Sequence, residues 1–180
     1  QAYCDLIVDE AYGGGKSAPM DGKAELELGC IPGIKEVYGG SRNADVNNDV
    51  KLRITNGKYD KVYGGNNEGG CINGSITVEV EEVGCSQIII GQLFGGGNQA
   101  AYSVFGYNDD GTCKTSGDKL YADPVLNVIS CTKIGQVFGG GLGVGAFIYG
   151  NPTVNINMIP GAHKTSEHQL GTIGDVFGGD

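Results

Sequence analysis

The chain of 180 residues has no tryptophan, two histidines, two methionines and five prolines. So few histidines leave little material for a histidine-built metal or acid–base centre. His163 and His168, with Glu167 between them, fit neither the His-Glu-x-x-His zinc spacing nor one face of a helix, and they read as part of an exposed loop. Basic residues are scarce as well: 12 Lys and Arg stand against 21 Asp and Glu, a formal charge of −9. That balance argues against a nucleic-acid partner, whose phosphates call for lysine and arginine clusters, and it gives no attraction to anionic lipid. Its plain consequence is solubility. No run approaches the roughly 18 apolar residues of a membrane span. Nor does an apolar 3.6-residue period persist for a helix's length, so helices are not expected.

Glycine, by contrast, is abundant, with 34 residues where an average composition has about 7%. There is no Gly-X-Y period, which excludes collagen, and the valine, isoleucine, tyrosine and phenylalanine are too plentiful for a disordered linker. The glycines fall in a phrase that returns six times, an apolar residue and an aromatic followed by two or three glycines. The aromatics are Tyr12, Tyr38, Tyr63, Phe94, Phe138 and Phe177, spaced by 26, 25, 31, 44 and 39 residues. A repeat of about 25 residues with insertions explains these spacings, because stacked repeats accept additions at their loops. Glycine suits a corner that needs positive φ or a tight backbone approach. The aromatic before it is expected to point inward and join a column of stacked rings.

Between the glycine phrases lie segments with period-two alternation: Ala24–Leu28, Val50–Ile54, Ile76–Val80, Val125–Ile129 and Val154–Met158. Alternation marks strands with one buried and one wet face. Their outward residues support parallel stacking in register, since Glu25 and Glu27 would neighbour Lys51 and Arg53, and these would neighbour Glu79 or Glu81. Asn127, Asn155 and Asn157 continue the line as amide ladders. The expected fold is therefore all-β: a single-stranded right-handed parallel β-helix, or β-solenoid, of about five or six coils over residues 1–180. Two insertions, 99–123 and 160–170, interrupt it, the first a polar loop or a hairpin around Asp110-Gly111. The chain opens part-way through a repeat and closes just after one, as a piece of a longer repeat protein would.

The six cysteines include no Cys-x-x-Cys pair, so a metal knuckle is not indicated. Cys4 and Cys30 occupy the same place in successive repeats, and Cys85 and Cys131 nearly so. Stacking would bring such positions about 4.8 Å apart, inside the Cα range of a disulfide. Cys71 and Cys113 would then be left for each other. The same arrangement also suits a column of buried thiols. The number of cysteines favours an oxidising, extracellular setting.

Chemistry has few candidates. Glycosidase-like catalysis needs converging carboxylates, and Asp45, Asp49, Asp60, Asp109, Asp110, Asp118 and Asp123 recur at no spacing that sets two on one face, so no catalytic residues and no enzyme activity are expected. Gly13-Gly14-Gly15-Lys16-Ser17 lacks the first glycine of a P-loop and no helix pattern follows it. No cofactor or metal is expected beyond one structural calcium, for which Asn43, Asp45, Asn47, Asn48 and Asp49 supply hard oxygen donors. Loops on a rigid scaffold are where recognition resides. A glycan or ion would therefore be met by Asp45, Asp49, Tyr107, Asp109, Asp110 and Tyr121.

The phrase Ile-Gly-x-Val-Phe-Gly-Gly at Ile134–Gly140 and Ile173–Gly179, with the Thr-x-Asn-x-Asn strand at Thr153–Asn157, resembles the glycine-rich repeats of large secreted or surface-exposed proteins of Bacteroides-type bacteria. The resemblance covers nearly the whole chain. It implies a β-solenoid at the cell surface or outside the cell, working in adhesion, surface structure or glycan contact. Partners implied are other copies, end to end, and glycans or a host surface. The alternative is a glycan-binding or polysaccharide-cleaving protein on the same scaffold, its cleft formed by the two insertions and lined by an exposed Tyr102, Tyr107 or Tyr121.

Overall fold

A computed structural model describes residues 8–83, 87–157 and 171–179, and the elements of these residues are all strands. Six of them, β1 (Val8–Tyr12), β3 (Gly33–Tyr38), β5 (Gly57–Tyr63), β7 (Ile88–Phe94), β10 (Lys133–Phe138) and β13 (Thr172–Phe177), lie in that order in one parallel sheet. Five more, β2 (Ala24–Leu28), β4 (Val50–Ile54), β6 (Ile76–Val80), β9 (Val125–Val128) and β12 (Thr153–Ile156), form a second parallel sheet in the same chain order. The chain thus alternates between the sheets, and each return lands beside the strand one repeat earlier. A narrower line of parallel bridges joins Met20, Val46 and Ile72. A short parallel pair is made by β8 (Tyr102–Ser103) and β11 (Ile148–Tyr149).

Alternation explains the packing. In β4, Val50, Leu52 and Ile54 are buried to 1% exposure or less while Lys51 and Arg53 face out. Their equivalents Ile76, Val78 and Val80 are buried to the same degree, so the core between the sheets is a set of aliphatic columns. Full burial of each such side chain contributes about 1.5–3 kcal/mol. On the outer face the register is the one the charges require. Arg53 pairs with Glu27 on one side and Glu79 on the other, and its guanidinium reaches Glu27, Glu79 and Glu81 at 3.0, 3.1 and 3.3 Å. The amide ladder is present too, with Asn155 donating to Asn127 at 2.8 Å. A second runs from Gln92 to Gln136 to Asp175.

The aromatic column forms as expected, with ring centroids 4.7–5.0 Å apart and planes within 10° of parallel from Tyr12 to Phe177. The rings of Tyr38, Tyr63 and Phe94 are 0%, 1% and 1% exposed, as packed core rings are. They make a cluster of their own, apart from the main core. The cause lies within each strand: Tyr59 and Val62 both enter the core although three residues apart, with exposed Asp60 and half-exposed Lys61 between them. The side-chain parity therefore shifts once, and the aromatic after Val62 falls on the opposite side of the strand, buried in that second cluster. There Tyr38 donates its hydroxyl to Glu36, two residues before it on the same face, at 2.8 Å. Asn67 of a later glycine corner covers the column and donates to Tyr12 Oη at 2.7 Å.

The corner glycines serve close approach rather than unusual dihedrals, since none of Gly39, Gly64 and Gly95 has positive φ. A Cβ on any of them would stand 2.5 Å from the carbonyl oxygen of the equivalent glycine one repeat later. Through them the backbone ladder continues past the strands: Gly39, Gly64 and Gly95 donate to the carbonyls of Tyr63, Phe94 and Phe138 at 2.8–2.9 Å.

Candidate functional site

The insertion at 99–123 is not the wholly polar loop its composition suggests. Its first part belongs to the core: Ala100, Tyr102 and Val104 are 5%, 2% and 0% exposed. Tyr102 donates its hydroxyl to the Gly74 carbonyl at 2.8 Å, so it is no exposed platform. The clue was the period-two placing of Tyr102 and Val104, hidden among the polar residues that follow. Beyond Gly106 the chain makes the expected hairpin. Tyr107 bridges Cys113 in antiparallel fashion, Asn108 N–H donates to the Thr112 carbonyl at 2.8 Å, and Gly111 turns with φ +81°.

This hairpin lies against the line of bridges at Ile72. Tyr107 Oη accepts from the Ile72 N–H at 3.1 Å, and burial pushes its phenol pKa well above the ordinary value. Cys71 Sγ lies 3.6 Å from the Gly111 carbonyl oxygen. Burial pushes the Cys71 thiol up to about 11, with Asp45 and Cys113 adding to the effect. Cys113 is pushed to about 11 by burial, opposed by a hydrogen bond to Tyr107. Between hairpin and scaffold runs a groove of about 350 Å³, lined by Glu68, Gln99, Tyr107, Thr112, Cys113 and Tyr149 among others. Phe147, 59% exposed, stands beside Tyr149 with ring centroids 6.1 Å apart. A wider groove of about 620 Å³ crosses the first sheet near Pro32, Lys35, Lys58 and Asp60.

Of the six residues expected from sequence to meet a glycan or ion, only Tyr107 lines the hairpin groove, and its hydroxyl is already engaged. Asp109 and Asp110 sit exposed at the hairpin tip, and Asp110 accepts from the Thr112 N–H at 3.0 Å and from its hydroxyl at 2.6 Å. Tyr121 donates to Asn73 at 3.4 Å. Asp45 accepts from the Cys71 N–H at 2.7 Å, and Asp49 accepts from the Ser75 N–H and hydroxyl, both at 2.9 Å. Asn47 links Asp21 to Asn73. The Asn/Asp cluster is thus a set of ties between consecutive repeats. Among the described residues no group of three or more His, Cys, Asp or Glu side chains is placed to hold a metal ion.

Glu82, which sequence reasoning passed over, is fully buried and ties two repeats together: its Oε2 accepts from Ile88 N–H at 2.9 Å and from Thr132 Oγ1 at 2.7 Å. Cys30 is disulfide-bonded and Cys131 is buried, whereas Cys71 and Cys113, expected to be left for each other, form no bridge and are half-buried thiols. Cys4, Cys85, His163, His168 and the 160–170 insertion lie outside the described residues. Among the described residues no helix is long and apolar enough to cross a membrane. Comparison with family models, with curated proteins and with solved structures found no match.

Proposed function

We propose that the parallel sheets are the faces of a right-handed β-solenoid of about five or six coils, serving as an extracellular structural or adhesive module without catalysis. The repeats would be those of the bacterial surface proteins that the glycine phrases resemble. The observation that carries this reading is the register of the two parallel sheets, in which each strand lies in line with its equivalent one repeat earlier. Stacked repeats bury their core only against neighbouring repeats, and another copy stacked end to end supplies such a neighbour. The disulfide at Cys30 agrees with an oxidising compartment.

The test is sedimentation velocity with electron microscopy over a range of concentrations. End-to-end rods are the expected result, and short dispersed monomers at the highest concentration would overturn the reading. Salt gives a sharper readout. The paired registers run from Glu10 through Glu36, Lys61, Gln92 and Gln136 to Asp175, so a β13-to-β1 joint sets Asp175 beside Glu10. Like charges there repel and salt screens them, so association should strengthen as ionic strength rises.

A second reading, glycan binding, is favoured by the Phe147–Tyr149 pair beside the hairpin groove, because aromatic faces with flanking polar groups suit sugar rings. A glycan array with the unmodified chain and Tyr149→Ala tests it: binding lost in the variant supports it, and no binding by either rejects it.

A further inference from the structure

The two half-buried thiols of the hairpin seam have no part in the reading above. Cys71 lies on the scaffold next to Ile72, and Cys113 on the returning arm of the hairpin. Three contacts hold these places together: Tyr107 bridges Cys113, the Tyr107 hydroxyl sits on the Ile72 N–H at 3.1 Å, and Cys71 Sγ is 3.6 Å from the carbonyl of Gly111, two residues before Cys113. Cys113 raises the titration of Cys71, and both thiols raise that of Tyr107 between them, as near neighbours do. Both are partly accessible, whereas Cys131 is 1% exposed and Cys30 is already bonded.

We propose that Cys71 and Cys113 are a site of oxidative modification, a dithiol that a small-molecule disulfide such as oxidised glutathione converts to an intramolecular disulfide, clasping the hairpin to the scaffold. One thiol loses its proton and attacks the glutathione disulfide, whose S–S bond breaks to release one glutathione. The second thiol loses its proton, attacks the mixed disulfide and releases the other glutathione. The protein gives up two electrons and two protons, and one glutathione disulfide becomes two thiols. Burial keeps both thiols protonated at neutral pH, which makes the exchange slow without making it unfavourable. The bond would close one wall of the 350 Å³ groove, because Gly111, Thr112 and Cys113 line one side and Gly69 and Gly70 the other.

The experiment treats the purified chain with oxidised glutathione, then digests it without reductant using Glu-C and chymotrypsin together. These cut at Glu79, Glu81 or Glu82 and at Phe94, so Cys71, Cys85 and Cys113 fall on separate peptides. The expected result is a joined Cys71–Cys113 peptide pair, an intact mass lower by about 2 Da as two hydrogens leave, and hydrogen exchange over 107–113 slowed roughly tenfold or more. Reductant should reverse all three, and Cys113→Ser should abolish the exchange effect. Cys71 and Cys113 both still alkylated after treatment, a persistent glutathione adduct on either of them, or a Cys71–Cys85 peptide would each overturn the proposal. The digest of the unmodified chain decides the matter whether or not the variant folds.

Discussion

Gly64 and Gly111 are the same residue used for opposite reasons, and they divide the molecule into two kinds of backbone. Gly64 lies at a corner of the stacked sheets with ordinary dihedrals and no room: a Cβ there would meet the Gly95 carbonyl at 2.5 Å, Val78 at 2.7 Å and Ile76 at 2.9 Å. Gly111 lies at the hairpin tip with open space around it and φ of +81°. Crowding makes the scaffold rigid and its register specific. The hairpin is positioned by a few bonds at its base, so its sequence is far less constrained.

The sharpest way to break this comparison is to add one methyl group to each. Gly64→Ala should be the most damaging change considered, costing about 3 kcal/mol or more, because the collisions are with a backbone carbonyl and two packed aliphatics that cannot swing away. Thermal or urea unfolding measures it. Gly111→Ala should cost roughly 1–2 kcal/mol, the penalty of holding an L-residue in a left-handed conformation, with no steric part. Equal costs at the two positions would remove the distinction.

The same contrast governs what could be read from the sequence. Wherever a residue's partner lies one repeat away, it was legible: the acid–base–acid line through Arg53, the Asn155–Asn127 amide pair and the ring column all follow from equal positions in successive repeats. The separation of the rings from the main core was not legible, because the parity shift between Tyr59 and Val62 is a property of the bent strand and leaves no mark on composition. Asp45 and Asp49 accept hydrogen bonds from Cys71 and Ser75, 26 residues on, the spacing of a repeat. That periodicity was the available signal for their structural role. Tyr102 and Val104 were hidden by a different cause. An insertion has no equivalent in the neighbouring repeats, so register could not identify them as core.

Charge register gives a smaller test. Arg53→Met keeps the stem that packs along the sheet and removes the cation between Glu27, Glu79 and Glu81. The expected loss is roughly 0.5–1 kcal/mol at low salt, from lost pairing and carboxylates left facing one another. Most of it should be recovered at about 1 M salt, where the Debye length is about 3 Å. A loss that salt does not change would mean that the arginine acts by packing alone.

The smallest effect tests the ties between repeats by pH. The Ser75 backbone N–H, and then its hydroxyl, hold the Asp49 carboxyl below the usual carboxylate range, against a lesser opposing push from burial. A depressed folded pKa means that the carboxylate form is favoured by folding, so this stabilisation is present above the unfolded value near 4 and is lost as pH falls through the folded one. Asp110 at the hairpin tip is depressed by the Thr112 hydroxyl and N–H, but that bond closes only a local turn. Unfolding midpoints taken from pH 6 to pH 2 should therefore fall less steeply below pH 4 in Asp49→Asn than in the unmodified chain. Asp110→Asn should leave the global midpoint on the parent curve, since a turn closed within three residues also forms in the unfolded chain and its effect on proton binding then cancels. If both variants shifted the curve equally, the bonds between repeats would carry no more of the stability than the turn does.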